Sequence, residues 1–283
     1  MASGASTMWR VGRFCWPVDA RSPIVVMGIV NVTPDSFSDG GQHNSTQLAV
    51  LHAETLLAQG AQIVDIGGES TRPGAPKVDV QEELDRVLPV LSELANRGHC
   101  VSIDTRKTEV MRAAIAAGAV IVNDVTALAD TGAVQLCAAS EVGVVLMHMQ
   151  GSPGTMQAAP HYVDVVREVG NFLVERALAC EAAGIARDRI VLDPGYGFGK
   201  AFAHNVELTR RLSELVLLGY PVLAGWSRKR TLGTLTGREV AAERVHASVA
   251  AALACVAQGA RIVRVHDVAA TVDALKVWRT FVA

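Results

Sequence analysis

Basic side chains end the last apolar segment of this chain in a pattern that could bind an anion. Residues 262–265 read Ile-Val-Arg-Val and run directly into His266 and Asp267. Arg264 and His266 alternate with valines, so on a β-strand their side chains share one face. The same pair could equally be two solvated cations at a strand end, and this segment alone does not separate the two interpretations.

Three hydrogen-bond acceptors also follow short apolar segments: Asp104, Asn123 and Asp193. A carboxylate accepts two parallel N–H bonds, which matches a heterocycle edge that bears an amino group beside a ring N–H. Asp104 could instead cap the helix predicted near Val110. The ligand interpretation is stronger for Asp193, because Pro194 and a loop with three glycines follow it. Such a loop permits unusual backbone angles close to a ligand.

The segment Ser227-Arg228-Lys229-Arg230 places three cations where a helix is predicted to begin. That end of a helix disfavours cations and favours anions, so a bound phosphate or a planar ligand bearing oxygen would remove the conflict. A solvated basic turn is the alternative, and it fits Arg228 and Arg230 better than Lys229. Because the formal net charge of the chain is only −2, the basic patch is local. It predicts an anionic substrate group such as a diphosphate.

The motifs contain no Ser-His-Asp or Cys-His arrangement, no HExxH and no zinc spacing of cysteines and histidines. Asn31 and Asp35 could approach Mg²⁺, a hard ion that needs few protein oxygens when phosphates supply the others. The histidines outside these patterns are expected at the surface or in packing: His43, His52, His99, His161, His204 and His246.

Apolar segments alternate with helical patterns along the chain, and this alternation predicts the elements that position the polar residues. Strands are predicted at residues 24–30, 63–66, 101–103, 120–122, 143–147, 190–192, 221–224 and 262–265. Helices are predicted at residues 46–58, 80–95, 110–117, 132–139, 163–183, 206–218, 240–257 and 268–282. This alternation favours a (β/α)8 barrel, which typically needs ~250 residues. A doubly wound open sheet is the alternative, but its usual GxGxxG turn does not follow the first strand.

The predicted fold is therefore α/β, a single (β/α)8 TIM barrel over residues 23–283. An irregular leader or hairpin over residues 1–22, with Trp9, Phe14 and Trp16, could close one end. Active sites of such barrels lie at the C-terminal ends of the strands, so the strand exits should meet in one site for a polar ligand. These exits are Asn31, Thr71 with Arg72, Asp104, Asn123, His148, Asp193, Lys229, and Arg264 with His266.

The composition, 50% hydrophobic and 19% charged, is that of a soluble globular protein. The small net charge gives no case for binding nucleic acid or an anionic membrane. The N-terminus lacks the apolar segment of a secretory signal, and residues 248–257 are too few to cross a bilayer, which takes ~20 residues. The five cysteines form no CxxC pair and are interpreted as buried reduced thiols of a cytoplasmic protein.

The strand exits together resemble the dihydropteroate synthase family of folate biosynthesis, from about Ile24 to Val277. The matching segments, in family order, are GIVNVTPDSFSDGG, IVDIGGESTRPGA, SIDTRK, VNDV, VLMHMQGSPGTMQ, LDPGYGFGK, SRKRTLG and RVHDV. The resemblance implies an enzyme that joins 4-aminobenzoate to 6-hydroxymethyl-7,8-dihydropterin diphosphate, yielding 7,8-dihydropteroate and diphosphate. It also implies that diphosphate departs first and leaves a delocalised pterin methyl cation. Positioning and electrostatic stabilisation would then account for the rate without a side-chain nucleophile.

The resemblance further implies roles for individual residues. The pterin is expected on Asp104, Asn123, Asp193 and Lys229. The diphosphate is expected on Asn31, Arg264 and His266, with Mg²⁺ at Asn31. The 4-aminobenzoate is expected among Thr71, Arg72, Pro73, Phe198, Ser227 and Lys229. Catalysis is expected from Lys229, Arg264, His266 and Asp104.

Other properties follow from the same resemblance. The second loop has the ordinary form GGESTRPGA, which implies a sulfonamide-sensitive enzyme, and Arg230 stands where several relatives have a smaller serine. A homodimer packed through helices 240–257 and 268–282 is expected from the family, although these helices could also be ordinary barrel cover.

Two alternative functions stay open. A pterin-binding methyltransferase domain would share the barrel and the pterin exits, but it would need a corrinoid partner and would not need the basic residues of SRK and RVH. A catalytically silent pterin-binding paralogue is the other alternative, and the intact motifs argue against it.

Overall fold

The described chain begins with a hairpin of two strands, β1 (Met8–Val11) and β2 (Phe14–Pro17). The computed structural model describes residues 7–33, 41–70, 77–152 and 154–282, without the side chains of residues 41–44. Trp9 and Val11 are fully buried in a cluster with residues at the starts of the barrel strands, such as Val25 and Ile63. The hairpin therefore closes the N-terminal end of the barrel.

Parallel strands form the barrel itself. They are β3 (Val25–Asn31), β4 (Ile63–Gly67), β5 (Val101–Asp104), β6 (Ile121–Asp124), β7 (Gly143–Met147), β8 (Ile190–Asp193), β9 (Leu223–Ala224) and β10 (Ile262–Val265). Within the described residues they pair in the order β8-β7-β6-β5-β4-β3-β10-β9. A parallel bridge between Leu192 and Val222 joins the two ends of the sheet, and the N–H of Leu192 donates to the carbonyl of Pro221 at 2.9 Å. The predicted TIM barrel is confirmed.

Helices surround these strands. They are α1 (Gly41–Ala58), α2 (Val80–Asn96), α3 (Thr108–Ala116), α4 (Ala133–Ala138), α5 (Val165–Ala182), α6 (Phe202–Arg210), α7 (Leu212–Val216), α8 (Arg230–Thr236), α9 (Val245–Ala257) and α10 (Val268–Val282). Helix α2 shows why they cover the barrel, because Val87, Leu91 and Leu94 recur at helical spacing and are fully buried.

Two predicted helices differ from the structure. The helix predicted over residues 206–218 is two helices, α6 and α7, and the backbone leaves helical geometry at Arg211 (φ −112°, ψ 22°). The side chain of Arg211 bonds Asp164, Glu207 and Glu214 around this break. The helix predicted over residues 240–257 begins with a 3-10 turn, Ala241–Arg244, and only then continues as α9.

The start of α3 decides whether Asp104 acts as a helix cap. The carboxylate of Asp130 accepts the backbone N–H of Thr108 at 2.9 Å and its hydroxyl at 2.7 Å. Asp104 instead bonds Arg264. The capping alternative is therefore wrong for Asp104, because another carboxylate occupies that position.

The cysteine prediction is correct in four cases and wrong in one. Cys100, Cys137, Cys180 and Cys255 are buried and free, as expected. Cys15 is also free, but it is exposed, because it lies on the outer side of the hairpin strand β2.

Length and apolar character decide whether a helix could cross a membrane. In the described ranges, no single helix has the length and apolar character needed to cross a membrane. The segments Arg230–Thr236 and Ala241–Ala257 together have the required length and composition, with a bend of 78° between them.

Candidate active site

A pocket opens at the C-terminal ends of the barrel strands, opposite the hairpin. Its empty space, including the open mouth, is about 360 Å³. Its lining residues are Asp104, Asn123, Val125, Met147, Asp193, Gly195, Tyr196, Phe198, Gly225, Lys229 and Arg264. Six predicted site residues are therefore brought together from positions far apart in the sequence.

Acceptor side chains form one wall of this pocket because their strands are neighbours in register. Asp104 at the end of β5 lies directly opposite Asn123 on β6, and Asp193 ends β8, two strands further round the barrel. Asn123 and Asp193 are 4% and 6% exposed. The wall can accept several N–H bonds from the edge of a flat heterocycle.

Arg264 supplies the positive charge under the acceptor wall. Its Nε donates to Oδ2 of Asp65 at 2.6 Å, and its Nη2 donates to Oδ2 of Asp104 at 2.6 Å. The two carboxylates keep the pKa of Arg264 above its ordinary value although burial opposes the charge. Burial raises the pKa of Asp104 to about 7, and repulsion from Asp65 adds to this effect while Arg264 opposes it. One guanidinium thus has to neutralise two buried carboxylates.

Asp193 is bound to the glycine-rich loop that follows it. Its Oδ1 accepts the backbone N–H of Gly195 at 2.7 Å, while burial raises its pKa. Gly195 has a φ of +66°, and a Cβ at this position would lie 2.0 Å from the carbonyl oxygen of His148. Both the backbone angle and the close approach require glycine here.

Lys200 holds the other end of the same loop. Its buried ammonium donates to the carbonyls of Gly195 at 3.0 Å, Phe198 at 2.9 Å and His148 at 3.2 Å. It also lies 2.9 Å from Nδ1 of His148. Burial, with the nearby Lys200 charge, lowers the pKa of His148 to about 3. His148 is therefore neutral. This strand exit positions the glycine-rich loop from within the protein interior and does not line the pocket.

Phe198 and Lys229 form the other side of the pocket. The Nζ atom of Lys229 lies 4.2 Å from the centroid of the Phe198 ring, within the range of a cation–π contact. Lys229 is the first residue before α8, and its side chain does not cap that helix. The lysine side chain is therefore directed by the aromatic ring and the pocket instead of by the helix end.

The two residues before Lys229 have different partners. The hydroxyl of Ser227 lies 2.9 Å from Nδ1 of His266 and accepts the backbone N–H of His266 at 3.0 Å. Arg228 makes a two-point ion pair with Asp267, at 3.0 Å from Nε and 2.5 Å from Nη2. The solvated-turn interpretation is therefore wrong for Arg228. Both contacts tie the segment before α8 to the end of β10.

Glu69 anchors the start of the second loop. Its carboxylate accepts from Arg106 at 3.0 Å and from Lys107 at 3.1 Å, both of which follow β5. Lys107 also bonds the buried carboxylate of Glu83 on α2. On the far side of the loop, the N–H of Val78 lies 3.4 Å from Glu69. These ionic contacts fix where the loop leaves and rejoins the barrel.

The remaining predicted site residues lie around the pocket or outside the described residues. Ser227, His266 and Asn31 are at strand ends beside the lining residues, but they do not line the pocket itself. The predicted positions that fall outside the described residues are Asp35, Thr71, Arg72 and Pro73. The ligand roles of all these residues stay predictions.

Two residues of the site were not predicted from the sequence. Asp65 is a charged residue inside the apolar strand β4, and that contrast was a usable signal. Lys200 ends the glycine-rich segment, and nothing in its spacing indicated that its side chain is buried.

Asn31 is suited to a magnesium ion by its chemistry. Its amide oxygen is the kind of hard ligand that Mg²⁺ accepts. Among the described residues, no group of three or more His, Cys, Asp or Glu side chains could hold a metal ion. Asn31 would supply one ligand, so a Mg²⁺ ion here would need substrate phosphates and water for the others.

Comparison with known proteins adds independent information. The sequence model of one family, described as "Pterin binding enzyme", matches residues 27–266. Dihydropteroate synthase of Neisseria meningitidis serogroup B is 57% identical over 280 residues, which is 97% of each chain.

Solved structures give the same result. Xanthomonas albilineans dihydropteroate synthase with 4-aminobenzoic acid superimposes with a TM-score of 0.91 at 54% identity, covering 98% of this chain and 99% of that one. Yersinia pestis dihydropteroate synthase in a sulfonamide drug complex has a TM-score of 0.90 at 45% identity, covering 97% and 98%. Both similarities extend over nearly the whole chain.

Proposed function

Because this chain belongs to the family of pterin-binding enzymes, we propose that it is a dihydropteroate synthase. It would condense 6-hydroxymethyl-7,8-dihydropterin diphosphate with 4-aminobenzoate to give 7,8-dihydropteroate and diphosphate. The observation that best supports this activity is the two-sided pocket, in which an acceptor wall faces the Lys229–Phe198 pair. A high identity to dihydropteroate synthases over the whole chain supports it as well.

The acceptor wall would bind the aminopyrimidine edge of the pterin. That edge presents an amino group and a ring N–H, which suit Asp104, Asn123 and Asp193. A carboxylate that accepts these donors is favoured in its ionised form. Binding would therefore lower the pKa of Asp104 from the raised value that burial gives it.

The leaving diphosphate would lie toward the end of β10. Two nitrogens of Arg264 are bonded to carboxylates. Among the contacts of the described residues, Nη1 and the second hydrogen of Nη2 stay available to phosphate oxygens. His266, held by Ser227, is the second basic group at this end. Magnesium bound at Asn31 would neutralise phosphate charge and so assist departure.

A dissociative substitution fits this distribution of charge. Departure of diphosphate would leave a pterin methyl cation, and the acceptor carboxylates lie where they can stabilise a cationic ring. The arylamine would then attack from the side of Phe198 and Lys229. Lys229, Phe198 and Ser227 would frame the 4-aminobenzoate together with Thr71, Arg72 and Pro73 of the second loop. The site needs only to position two substrates and their charges.

One assay separates this proposal from its alternatives. Purified protein with Mg²⁺ should release diphosphate only when both the pterin diphosphate and 4-aminobenzoate are present. A pterin-binding methyltransferase domain or a silent paralogue would release none. Absence of release under these conditions would end the synthase proposal.

The proposal includes a cytoplasmic homodimer. Four buried free cysteines are consistent with a reducing compartment. Val277, Phe281 and Val282 at the end of α10 are 55%, 81% and 62% exposed, and a second copy of the chain would cover such apolar residues. Light scattering should give twice the chain mass of 29.9 kDa, and a monomer at micromolar concentration would contradict this part of the proposal.

A further inference from the structure

Asp65 lies beneath the pocket and does not line it. The residue is fully buried on β4, yet it contacts two residues that do line the pocket. Its Oδ2 accepts Nδ2 of Asn123 at 3.0 Å and Nε of Arg264 at 2.6 Å. Any effect of Asp65 on a ligand must therefore act through these two side chains.

We propose that Asp65 is a positioning residue that sets the specificity of the acceptor wall by fixing the amide orientation of Asn123. The inference rests on the proposed function for the chemistry of the ligand. Oδ2 of Asp65 accepts the N–H of Arg264 Nε, so this carboxylate oxygen acts as an acceptor toward its neighbours. Asn123 must consequently turn its NH₂ group toward Asp65. Its Oδ1 is then the atom left to meet a ligand in the pocket.

The orientation of this amide matters because of its neighbours. Asp104 and Asp193 line the same pocket and accept hydrogen bonds when ionised. With Oδ1 of Asn123 facing the ligand, all three side chains accept, and the wall selects a heterocycle edge made of N–H donors. If the amide turned, an N–H would oppose the N–H groups of that edge, and a carbonyl-bearing edge would be less strongly rejected.

Asp65 also restricts Arg264. Because Asp65 and Asp104 bind different nitrogens of one guanidinium, they fix its plane. Loss of the Asp65 charge leaves Arg264 with Asp104 as its remaining carboxylate partner among the described contacts. Removal of the Asp65 carboxylate is therefore expected to alter both the recognition of the pterin edge and the orientation of the Arg264 guanidinium.

The test compares two ligands that differ at position 2 and in the proton on N1, which lumazine carries and pterin lacks. Pterin carries a 2-amino donor, and lumazine carries a 2-oxo acceptor at the same place. The wild-type protein should bind pterin more tightly in calorimetric titration. In Asp65→Ala, Asn123 and Nε of Arg264 both lose the oxygen that accepts them, so Asn123 is free to turn its Oδ1 toward Arg264. The pterin-to-lumazine affinity ratio should then fall by roughly tenfold, as for the loss of one hydrogen bond between neutral groups.

A second substitution provides the rescue. In the double variant Asp65→Ala with Asn123→Asp, residue 123 is a carboxylate, so its pocket side is an acceptor whichever way it turns. This variant should recover most of the wild-type affinity ratio. Asp124→Ala is the matched control, because Asp124 is equally buried but bonds only Thr126 and the N–H of Leu128 among the described residues. It should leave the ratio unchanged.

The outcomes separate the two hypotheses. If the wild-type protein binds neither ligand, the proposed function fails. If it binds pterin but Asp65→Ala keeps the wild-type ratio, or the double variant fails to recover it, the role of Asp65 is refuted. Should Asp65→Ala not fold, neutron diffraction on the wild-type protein decides. Deuterium on the Asn123 nitrogen that faces Asp65 supports the inference, and an oxygen there overturns it.

Discussion

Gly195→Ala should disturb both stability and the 4-aminobenzoate side of the pocket. Gly195 has a φ of +66°, and an added Cβ would lie 2.0 Å from the carbonyl oxygen of His148. That contact is with backbone, so no side chain can rotate out of the way. Gly237 provides a matched control, with a φ of +69° and no atom within 4 Å of an added Cβ. The two variants share the backbone strain and differ in the clash.

The magnitude follows from these two contributions. A left-handed conformation costs an alanine about 1–2 kcal/mol, and restriction of the unfolded chain returns about 0.4–1 kcal/mol. Gly237→Ala should therefore lower the free energy of unfolding by roughly 1 kcal/mol. At position 195 the forced backbone shift adds about 1–3 kcal/mol. Gly195→Ala should thus lose about 2–4 kcal/mol.

Two measurements check this prediction. Urea unfolding gives the stabilities, and steady-state kinetics give KM for 4-aminobenzoate. Because the shifted loop carries Phe198, we expect KM to rise in Gly195→Ala and to stay near the wild-type value in Gly237→Ala. Equal losses of stability in the two variants would refute the claim that close approach to His148, and not the backbone angle alone, requires glycine at position 195.

Further predictions concern the side chains of the site. Lys229→Ala should weaken the use of both substrates, since Lys229 lines the pocket and contacts Phe198. Arg230→Ala is the control, because the neighbouring Arg230 is exposed. Unchanged kinetics in Lys229→Ala would show that Lys229 is not part of the site. Asp104 has a pKa of about 7 in the free protein against an ordinary 3.8, so its contribution to stability should fall as pH rises from about 4 through 7. Pterin binding at pH 6 should accordingly release a proton, and this release should disappear well above pH 7. Calorimetry in buffers of different ionisation enthalpy measures the release. No proton release at pH 6 would contradict the raised pKa of Asp104. Sulfamethoxazole should inhibit competitively with 4-aminobenzoate, and weak inhibition of the purified protein would count against a sulfonamide-sensitive site.

The strand exits were predictable because the polar residues follow apolar strands and a parallel barrel brings those strand ends together. Asp104, Asn123, Asp193, Lys229 and Arg264 were identified in this way, and all of them line the pocket. The hairpin that closes the other end was predictable from the tryptophans of the leader. These features depend on local pattern and on one topological rule.

Other features depend on contacts that no local pattern encodes. Arg264 and Asp65 are 199 positions apart in the chain, and only closure of the barrel brings them into contact. Lys200 bonds carbonyls on both sides of the glycine-rich loop, which requires the folded course of that loop. The ion pair of Arg228 with Asp267 likewise joins two different strand exits. In the sequence, each of these residues cannot be distinguished from an ordinary surface charge, because its partner comes near only in the folded protein.

The most direct test of the proposed synthase is to quantify both products of the reaction. Purified wild-type protein would be mixed with the pterin diphosphate, 4-aminobenzoate and Mg²⁺, and diphosphate and 7,8-dihydropteroate would be measured in the same samples. We predict equal amounts of the two products at every time point, with neither formed when either substrate is omitted. Diphosphate without dihydropteroate would indicate hydrolysis, and it would contradict the claim that one pocket joins a pterin to an arylamine.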